Sequence, residues 1–329
     1  MRALALISGG LDSILAARLI KGQGIDVIPL NFKIPFCHQN KKGGINLGRV
    51  VEGCGRSLER VDIGQEFLGL LKKPRYGFGS NMNPCLDCKI LMLKKAKEMM
   101  PGFAAAFVVT GEVLGQRPMS QHRKALDIIA NGSGLGGLLV RPLSARLLDE
   151  TIPEKEGWLV RDRLLDFNGR SRSRQLTLAG TLGVKEYSAV AGGCLLTDRG
   201  FSQRVKDLIR HQELCLDNIE LLKTGRHFRI GQEAKLAVGR NQEENIRLEG
   251  IAGGDDYLFW PQDIAGPTAL GRGVFSKELI EASCRIVCRY CDLNAEQETR
   301  INYRCVHNQK ENMAVVSPFK EEEILSLRI

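Results

Sequence analysis

The sequence predicts an α/β protein: a parallel sheet with flanking helices, followed by a smaller α+β domain. Three observations carry this expectation. Apolar runs at 3–7, 25–32, 58–63, 103–109 and 138–142 alternate with helical patterns at 12–22, 66–73 and 86–100. That βαβ texture gives a parallel sheet covered on both faces. The first run passes straight into Gly9-Gly10 and a helix. Beyond 201–224 the texture changes, to short strands over 226–261 divided by glycines and polar turns, then a helix at 276–292.

With 329 residues, 43% of them hydrophobic, the chain can bury two cores. Residues 1–205 form the expected first domain, 222–305 a second domain and 306–329 a C-terminal tail. The stretch 153–185 has a mainly helical pattern, and 201–224 reads as one long helix whose residues 206–221 link the domains. No apolar run is long enough for a bilayer, and Met1–Ile7 is too short for a signal-peptide core. A cytoplasmic protein with no membrane partner is expected. A net charge of +9 favours a polyanionic partner, most commonly nucleic acid. Ten cysteines in a reducing compartment point to metal, cluster or thiol chemistry rather than disulfides.

The segment Ser8-Gly9-Gly10-Leu11-Asp12-Ser13 lies at a strand exit and a helix entrance. Glycines there let backbone N–H groups approach a phosphate, and the helix N-terminus adds partial positive charge. Ser8 and Ser13 can donate to phosphate oxygens, and Asp12 can bind magnesium. The plain structural alternative is a tight turn with a Ser/Asp cap.

This SGGxDS segment resembles the signature of the PP-loop ATP pyrophosphatases, an adenine nucleotide alpha hydrolase-like fold. The family includes tRNA thiouridine synthases, lysidine synthetase, GMP synthetase and a queuosine-precursor synthetase. The resemblance implies cleavage of ATP between its α and β phosphates and adenylation of a substrate oxygen. It places adenine against the backbone near Asn31 and Phe32 and the nucleotide beside Thr110 and Gly111. Those loops follow strands, where such folds bind ligands. Gln116, Arg117, Met119, Ser120 and Gln121 come next. They are candidates for ATP or target-base contacts, or simply a polar loop.

Asn83-Pro84-Cys85-Leu86-Asp87-Cys88 gives a C-x-x-C at a helix mouth, and Cys194 follows much later in Ala191-Gly192-Gly193-Cys194. Such a pair can be half a metal site, a redox pair or incidental. With residues 83–124 and 141–204 it resembles the cluster-dependent branch of thiouridine synthases. The resemblance implies a 4Fe-4S cluster on Cys85, Cys88 and Cys194, with a fourth iron open to a sulfide. A competing branch uses a persulfide, with Cys194 and only one of Cys85 and Cys88. Asp12 and these three cysteines are then the catalytic candidates. ATP, Mg²⁺ and the cluster are the implied cofactors. Sulfur would come from free sulfide or from a separate carrier such as a cysteine desulfurase. A PP-loop ligase and a non-catalytic tRNA-binding adaptor are the alternative functions.

Arg170, Arg172 and Arg174 form a basic turn able to meet tRNA phosphates or merely solvent. Val238-Gly239-Arg240-Asn241, Asp255-Asp256 and Gly266-Pro267 resemble, in order, the RNA-binding NFACT-R domain, over about 222–305. No histidine follows Asp256 in the segment where that family often carries one. The resemblance makes Arg240 and Asn241 RNA-contact candidates, with a tight turn as the alternative. Cys284, Cys288 and Cys291 fall at i, i+4 and i+7, one buried helical face, with a metal site including Cys305 as the lesser alternative. Nothing is assigned to Cys37 or Cys54, or to the basic Lys41-Lys42-Gly43-Gly44 stretch beyond its composition.

Overall fold

The computed structural model describes residues 1–37, 48, 51, 53–54, 56–188, 193–292 and 297–329. Lys41–Gly44 and Ala191-Gly192 lie outside them. The chain divides into two units, Met1–Thr197 and Asp198–Ile329, ahead of the boundary expected at residue 205.

The first unit carries β1 (Arg2–Leu6), α1 (Leu11–Lys21), β2 (Asp26–Lys33), β3 (Glu59–Asp62), α2 (Gly64–Lys72), α3 (Cys85–Phe103), β4 (Phe107–Val109), α4 (Arg123–Ser133) and β5 (Leu139–Val140). A short α5 (Ile152–Lys155) and α6 (Ser173–Thr181) follow. The sheet order is β3-β2-β1-β4-β5, and every pairing is parallel. Successive side chains of a strand leave opposite faces. Ala3 and Ala5 therefore pack with Ile14, Leu15 and Ala179 on one side, while Leu4 packs with Leu93 and Ile129 on the other. The expected parallel sheet with helices on both faces is present. The region 153–185 is less helical than its pattern suggested, because only α5, α6 and one 3₁₀ turn form there.

The second unit holds α7 (Arg199–Arg210), α8 (Leu216–Leu222), β6 (Arg226–Gly231), β7 (Ala234–Val238), α9 (Gln242–Ile251), β8 (Tyr257–Pro261), β9 (Ala269–Gly273), α10 (Lys277–Arg289), β10 (Thr299–Cys305), β11 (Glu311–Val316) and α11 (Glu321–Leu327). Its antiparallel sheet runs β11-β10-β8-β9-β7-β6. Leu236, Val238 and Phe259 pack with α10, whereas Ala237, Leu258 and Leu270 pack with Leu221 and Leu248. Three expectations change here. The single helix over 201–224 is two helices, since the chain turns at Gln212 with φ 59°. The 226–261 stretch contains α9 as well as strands. Residues 306–329 are no tail: Val316 and Ile324 sit in the same apolar cluster as Phe228 and Phe259.

A buried ion pair fixes the end of β4 against β5. Arg141 Nε donates to Glu112 Oε2 at 2.9 Å, Thr110 Oγ1 donates to the same oxygen at 3.1 Å, and Arg141 also reaches the Leu126 carbonyl at 3.0 Å. Burial pushes the Glu112 carboxyl up, but Arg141, Lys89 and the hydrogen bonds from Arg141 and Thr110 outweigh it and hold it below its ordinary range. Its contribution is therefore complete above the unfolded-state value and is lost as pH falls through the lowered one. Arg141→Met, which leaves Glu112 buried without its cation, is expected to destabilise the fold by about 3–5 kcal/mol. Adding Glu112→Gln should recover most of that loss. Urea denaturation checks this, and an unchanged midpoint for Arg141→Met would remove the pair from the stability argument.

Candidate active site

The site lies beyond the carboxyl ends of β1, β2 and β4, where the parallel strands hand over to loops. Gly9 takes φ 82°, a conformation that favours glycine. Gly10 precedes α1, and no side chain caps that helix, so its first-turn N–H groups face the loop without a side-chain acceptor. The serines brace the loop internally. Ser13 Oγ donates to the Gly10 carbonyl at 2.7 Å, Ser8 N donates to Ser13 Oγ at 3.3 Å, and Gly10 N donates to Ser8 Oγ at 3.4 Å. Leu11 turns its side chain fully into the core and can offer the loop only backbone.

The loop after β4 closes on this turn. A Cβ on Gly111 would lie 2.4 Å from Ser13 N and 2.5 Å from Asp12 O. Only glycine permits that approach. Thr110 is buried and turned toward Glu112. Gln116 Nε2 donates to Asp12 Oδ2 at 2.9 Å, and Gln175 donates to Gln116 Oε1 at 3.4 Å. Asp12 Oδ1 is buried with no hydrogen-bond partner among the described residues. An orphaned carboxylate oxygen at a glycine-lined helix mouth fits a hard cation with a phosphate beside it. Asn31 follows a different course. Its Nδ2 donates to the Ile7 carbonyl at 2.7 Å, tying β2 to the exit of β1, while Phe32 is buried in the core.

The two distant cysteine segments meet. Met82 N donates to the Leu196 carbonyl at 3.1 Å, and Asn81 Nδ2 to the Thr197 carbonyl at 2.7 Å. Asp87, between the paired cysteines, is buried and accepts from Arg75 N at 3.0 Å and Tyr76 N at 2.9 Å, which fixes the start of α3. The Cys194 carbonyl accepts from Thr197 N at 2.9 Å and Thr197 Oγ1 at 2.7 Å. Burial pushes the Cys88 thiol up to about 12, with Lys89 pulling the other way and Cys194, Cys85 and Cys37 adding to the rise. Burial likewise takes Cys194 to about 12, opposed by the Leu196 amide and reinforced by Cys37 and Cys85. Burial raises Cys85 too, against Arg117 and Lys89. The loop that holds Asp12 through Gln116 thus sets Arg117 beside Cys85.

Cys37 is the member that sequence reasoning passed over. It pairs with Cys194 across an isolated antiparallel bridge. Its visible signal was position alone, since it follows β2 as Gly9 follows β1. Cys284 and Cys288 are buried on one face of α10, and Cys291, past the end of that helix at Arg289, is buried in the same apolar cluster, with Cys288 Sγ against the Val316 carbonyl at 3.6 Å. Among the described residues, no three His, Cys, Asp or Glu side chains could hold a single metal ion as they stand.

The basic candidates have structural partners. Arg174 stacks over Phe167 at 4.4 Å and pairs with Asp166, while Arg170 is exposed and Arg172 precedes α6. Arg240 Nη2 donates to Glu244 Oε1 at 2.8 Å. Asn241 Oδ1 accepts from Glu244 N at 3.0 Å and so caps α9. Asp256 is buried and clamps Arg272 at 2.6 Å.

Residues 1–150 match the model of the family described as thiamine biosynthesis protein (ThiI), and 225–328 match that of the NFACT protein RNA binding domain. A probable tRNA sulfurtransferase of Thermococcus kodakarensis is 32% identical over 143 residues, 43% of this chain and 36% of that protein. The tRNA-specific 2-thiouridylase MnmA of a Bradyrhizobium species is 26% identical over 148 residues, 40% of this chain and 36% of the relative. The chain thus spans about a third of the length of these curated relatives. A solved 4-thiouridine synthetase–RNA complex with bound ATP shares 18% identity at a TM-score of 0.35, over 56% of this chain and 51% of its own. The resemblances to the tRNA thiouridine synthases and to the NFACT-R domain are met, the latter over a longer stretch than 222–305. No helix among the described residues is long and apolar enough to cross a membrane.

The thiol values carry a direct consequence. A thiol with a pKa of about 12 is ionised to about one part in ten thousand at pH 8. In metal-free protein, alkylation of Cys88 and Cys194 by iodoacetamide should be slow at pH 8 and rise about tenfold per pH unit up to pH 11. Peptide mass spectrometry reads the rates, and a plateau by pH 9 would contradict the buried-thiol picture.

Proposed function

We propose that the chain is an ATP-dependent tRNA uridine sulfurtransferase that forms AMP and pyrophosphate. The observation that carries this reading is the loop from Thr110 to Gln121, which packs on the phosphate turn through Gly111, holds Asp12 through Gln116 and brings Arg117 beside Cys85. An activating site and a thiol site are thereby served by one segment. The curated relatives' names, tRNA sulfurtransferase and 2-thiouridylase, support the same class.

The chemistry follows from leaving groups. A uracil carbonyl oxygen leaves poorly. Attack of that oxygen on the α-phosphorus of ATP expels pyrophosphate and makes the oxygen part of an AMP leaving group. Gly9, Gly10 and the first turn of α1 would hold the pyrophosphate oxygens through backbone N–H groups. Asp12 Oδ1 would take Mg²⁺, with Gln116 keeping the other carboxylate oxygen in place. Sulfide then attacks the activated carbon and AMP departs with the oxygen. No protein base is needed for a sulfide nucleophile.

Cys85, Cys88 and Cys194 would hold a 4Fe-4S cluster, which supplies an iron able to bind sulfide. The donor set fits a cluster better than a persulfide. A persulfide route needs a reactive thiolate, and burial keeps Cys88 and Cys194 protonated near neutral pH. Metal ligation instead ionises a coordinating thiol outright. Exposed Arg170 in the first unit and half-exposed Arg240 in the second would each meet tRNA phosphates. Arg172, Arg174 and Asn241 would act through the turns they build.

Mass spectrometry of tRNA nucleosides tests the reading. A deletion strain should lose one thiolated uridine, and Asp12→Ala or Cys85→Ser should restore it at least about 100-fold less well than wild type. Retention of every thiolated nucleoside in the deletion strain would sink the proposal. Gly111→Ala should weaken ATP binding by about tenfold or more, because its Cβ meets the Asp12–Ser13 peptide at 2.4–2.5 Å. Calorimetry with a non-hydrolysable ATP analogue reads that loss, and wild-type affinity would show that the nucleotide binds elsewhere.

A further inference from the structure

We propose that Cys37 is a fourth thiol ligand of the cluster site, the displaceable member of a three-plus-one set with Cys85, Cys88 and Cys194. The inference rests on the cluster reading above and deepens it.

The backbone supplies the first argument. Leu195 N donates to the Phe36 carbonyl at 2.8 Å, one residue outward from the Cys37–Cys194 bridge. That pattern makes Cys37 and Cys194 a non-hydrogen-bonded antiparallel pair, in which Cα atoms lie about 4.5 Å apart and the facing side chains approach most closely. The two thiols therefore leave the ribbon on one side. The second argument is electrostatic. Cys37 raises both Cys88 and Cys194, so it shares a common space with thiols from two other segments. Cys85 and Cys88 bring the C-x-x-C of α3 to that same space.

The four thiols are not equivalent. Cys85 and Cys88 stand on a nineteen-residue helix anchored by Asp87, and Cys194 is held by Thr197. Cys37 is exposed and lies beyond the end of β2. The donors do not converge on a single ion. A cluster asks for wider spacing, because each thiolate meets a different iron. An exposed fourth ligand would shield the remaining iron at rest and give way to a sulfide. That exchange moves no electrons. The departing thiolate takes the proton that hydrogen sulfide gives up, so neither oxidant nor reductant is required.

The test uses the full chain, reconstituted anaerobically with ferrous iron and sulfide, as wild type, Cys37→Ala and Cys85→Ser. Iron and acid-labile sulfide are assayed, and the samples are then oxidised mildly with ferricyanide and followed by EPR. Wild type and Cys37→Ala should load equally, and Cys85→Ser should load poorly. Cys37→Ala should convert to a three-iron signal at least about tenfold faster than wild type, the scale of losing one ligand interaction at a metal site. Equal conversion rates and identical spectra for wild type and Cys37→Ala would overturn the fourth-ligand assignment and leave the cluster reading standing. A wild-type chain that loads no cluster would overturn both.

Discussion

The loop after β4 can rest on the loop after β1 only because residue 111 has no side chain. Its missing Cβ would stand inside the van der Waals contact of the Asp12–Ser13 peptide. That contact is backbone against backbone, so no rotamer change relieves it. It fixes the height of the whole 110–121 segment above the sheet. The segment then determines which side chains reach Asp12 and which approach Cys85. Parallel pairing of β1 with β4 makes the two loops neighbours in the first place.

The buried Glu112–Arg141 pair acts one residue further along. A carboxylate at this depth is stable only with its cation and its hydrogen bonds in place. Arg141 follows β5, so the pair ties the β4 loop to the next strand as Gly111 ties it to the previous one. Thr110 belongs to this brace through its hydroxyl rather than to an open site. Asn31 makes a similar contribution by joining the exits of β1 and β2. Several residues that a motif suggests for ligand contact are thus the posts that hold the backbone which would make that contact.

Much of this was legible in the sequence. The strand–Gly-Gly–helix order gave the turn at Gly9-Gly10, and the βαβ alternation gave a parallel sheet. The i, i+4, i+7 spacing of Cys284, Cys288 and Cys291 gave a core stripe, because helical periodicity is set locally. What was not legible depends on contacts distant in sequence. The break at Gln212 has no glycine or proline to announce it, and polar helix-forming residues on both sides hide it. The place of residues 306–329 rests on β11 pairing with β10 and on Ile324 reaching the core, neither of which has a local signature. Asn241 and Arg240 read equally as turn or RNA contact until Glu244 is seen to engage both. Cys37 had no motif, and its bridge to Cys194 joins segments distant in sequence.

In the proposed reading, metal binding and thiol ionisation at the cysteine site are coupled. Neighbouring thiols that are partly buried ionise reluctantly, since each thiolate raises the cost of the next. Burial and mutual repulsion together lift Cys88 and Cys194 to about 12. Without metal, Cys88 and Cys194 are then protonated near neutral pH. A bound iron would reverse the sign of the local field, so the crowding that suppresses thiolates in the metal-free protein would favour a cation that neutralises several at once. Lys89 and Arg117 supply two fixed positive charges beside the patch, enough to oppose the rise at Cys85 but not enough to overcome it. A persulfide route would instead favour a more exposed thiol, since burial is the largest cause of the rise at Cys85, Cys88 and Cys194.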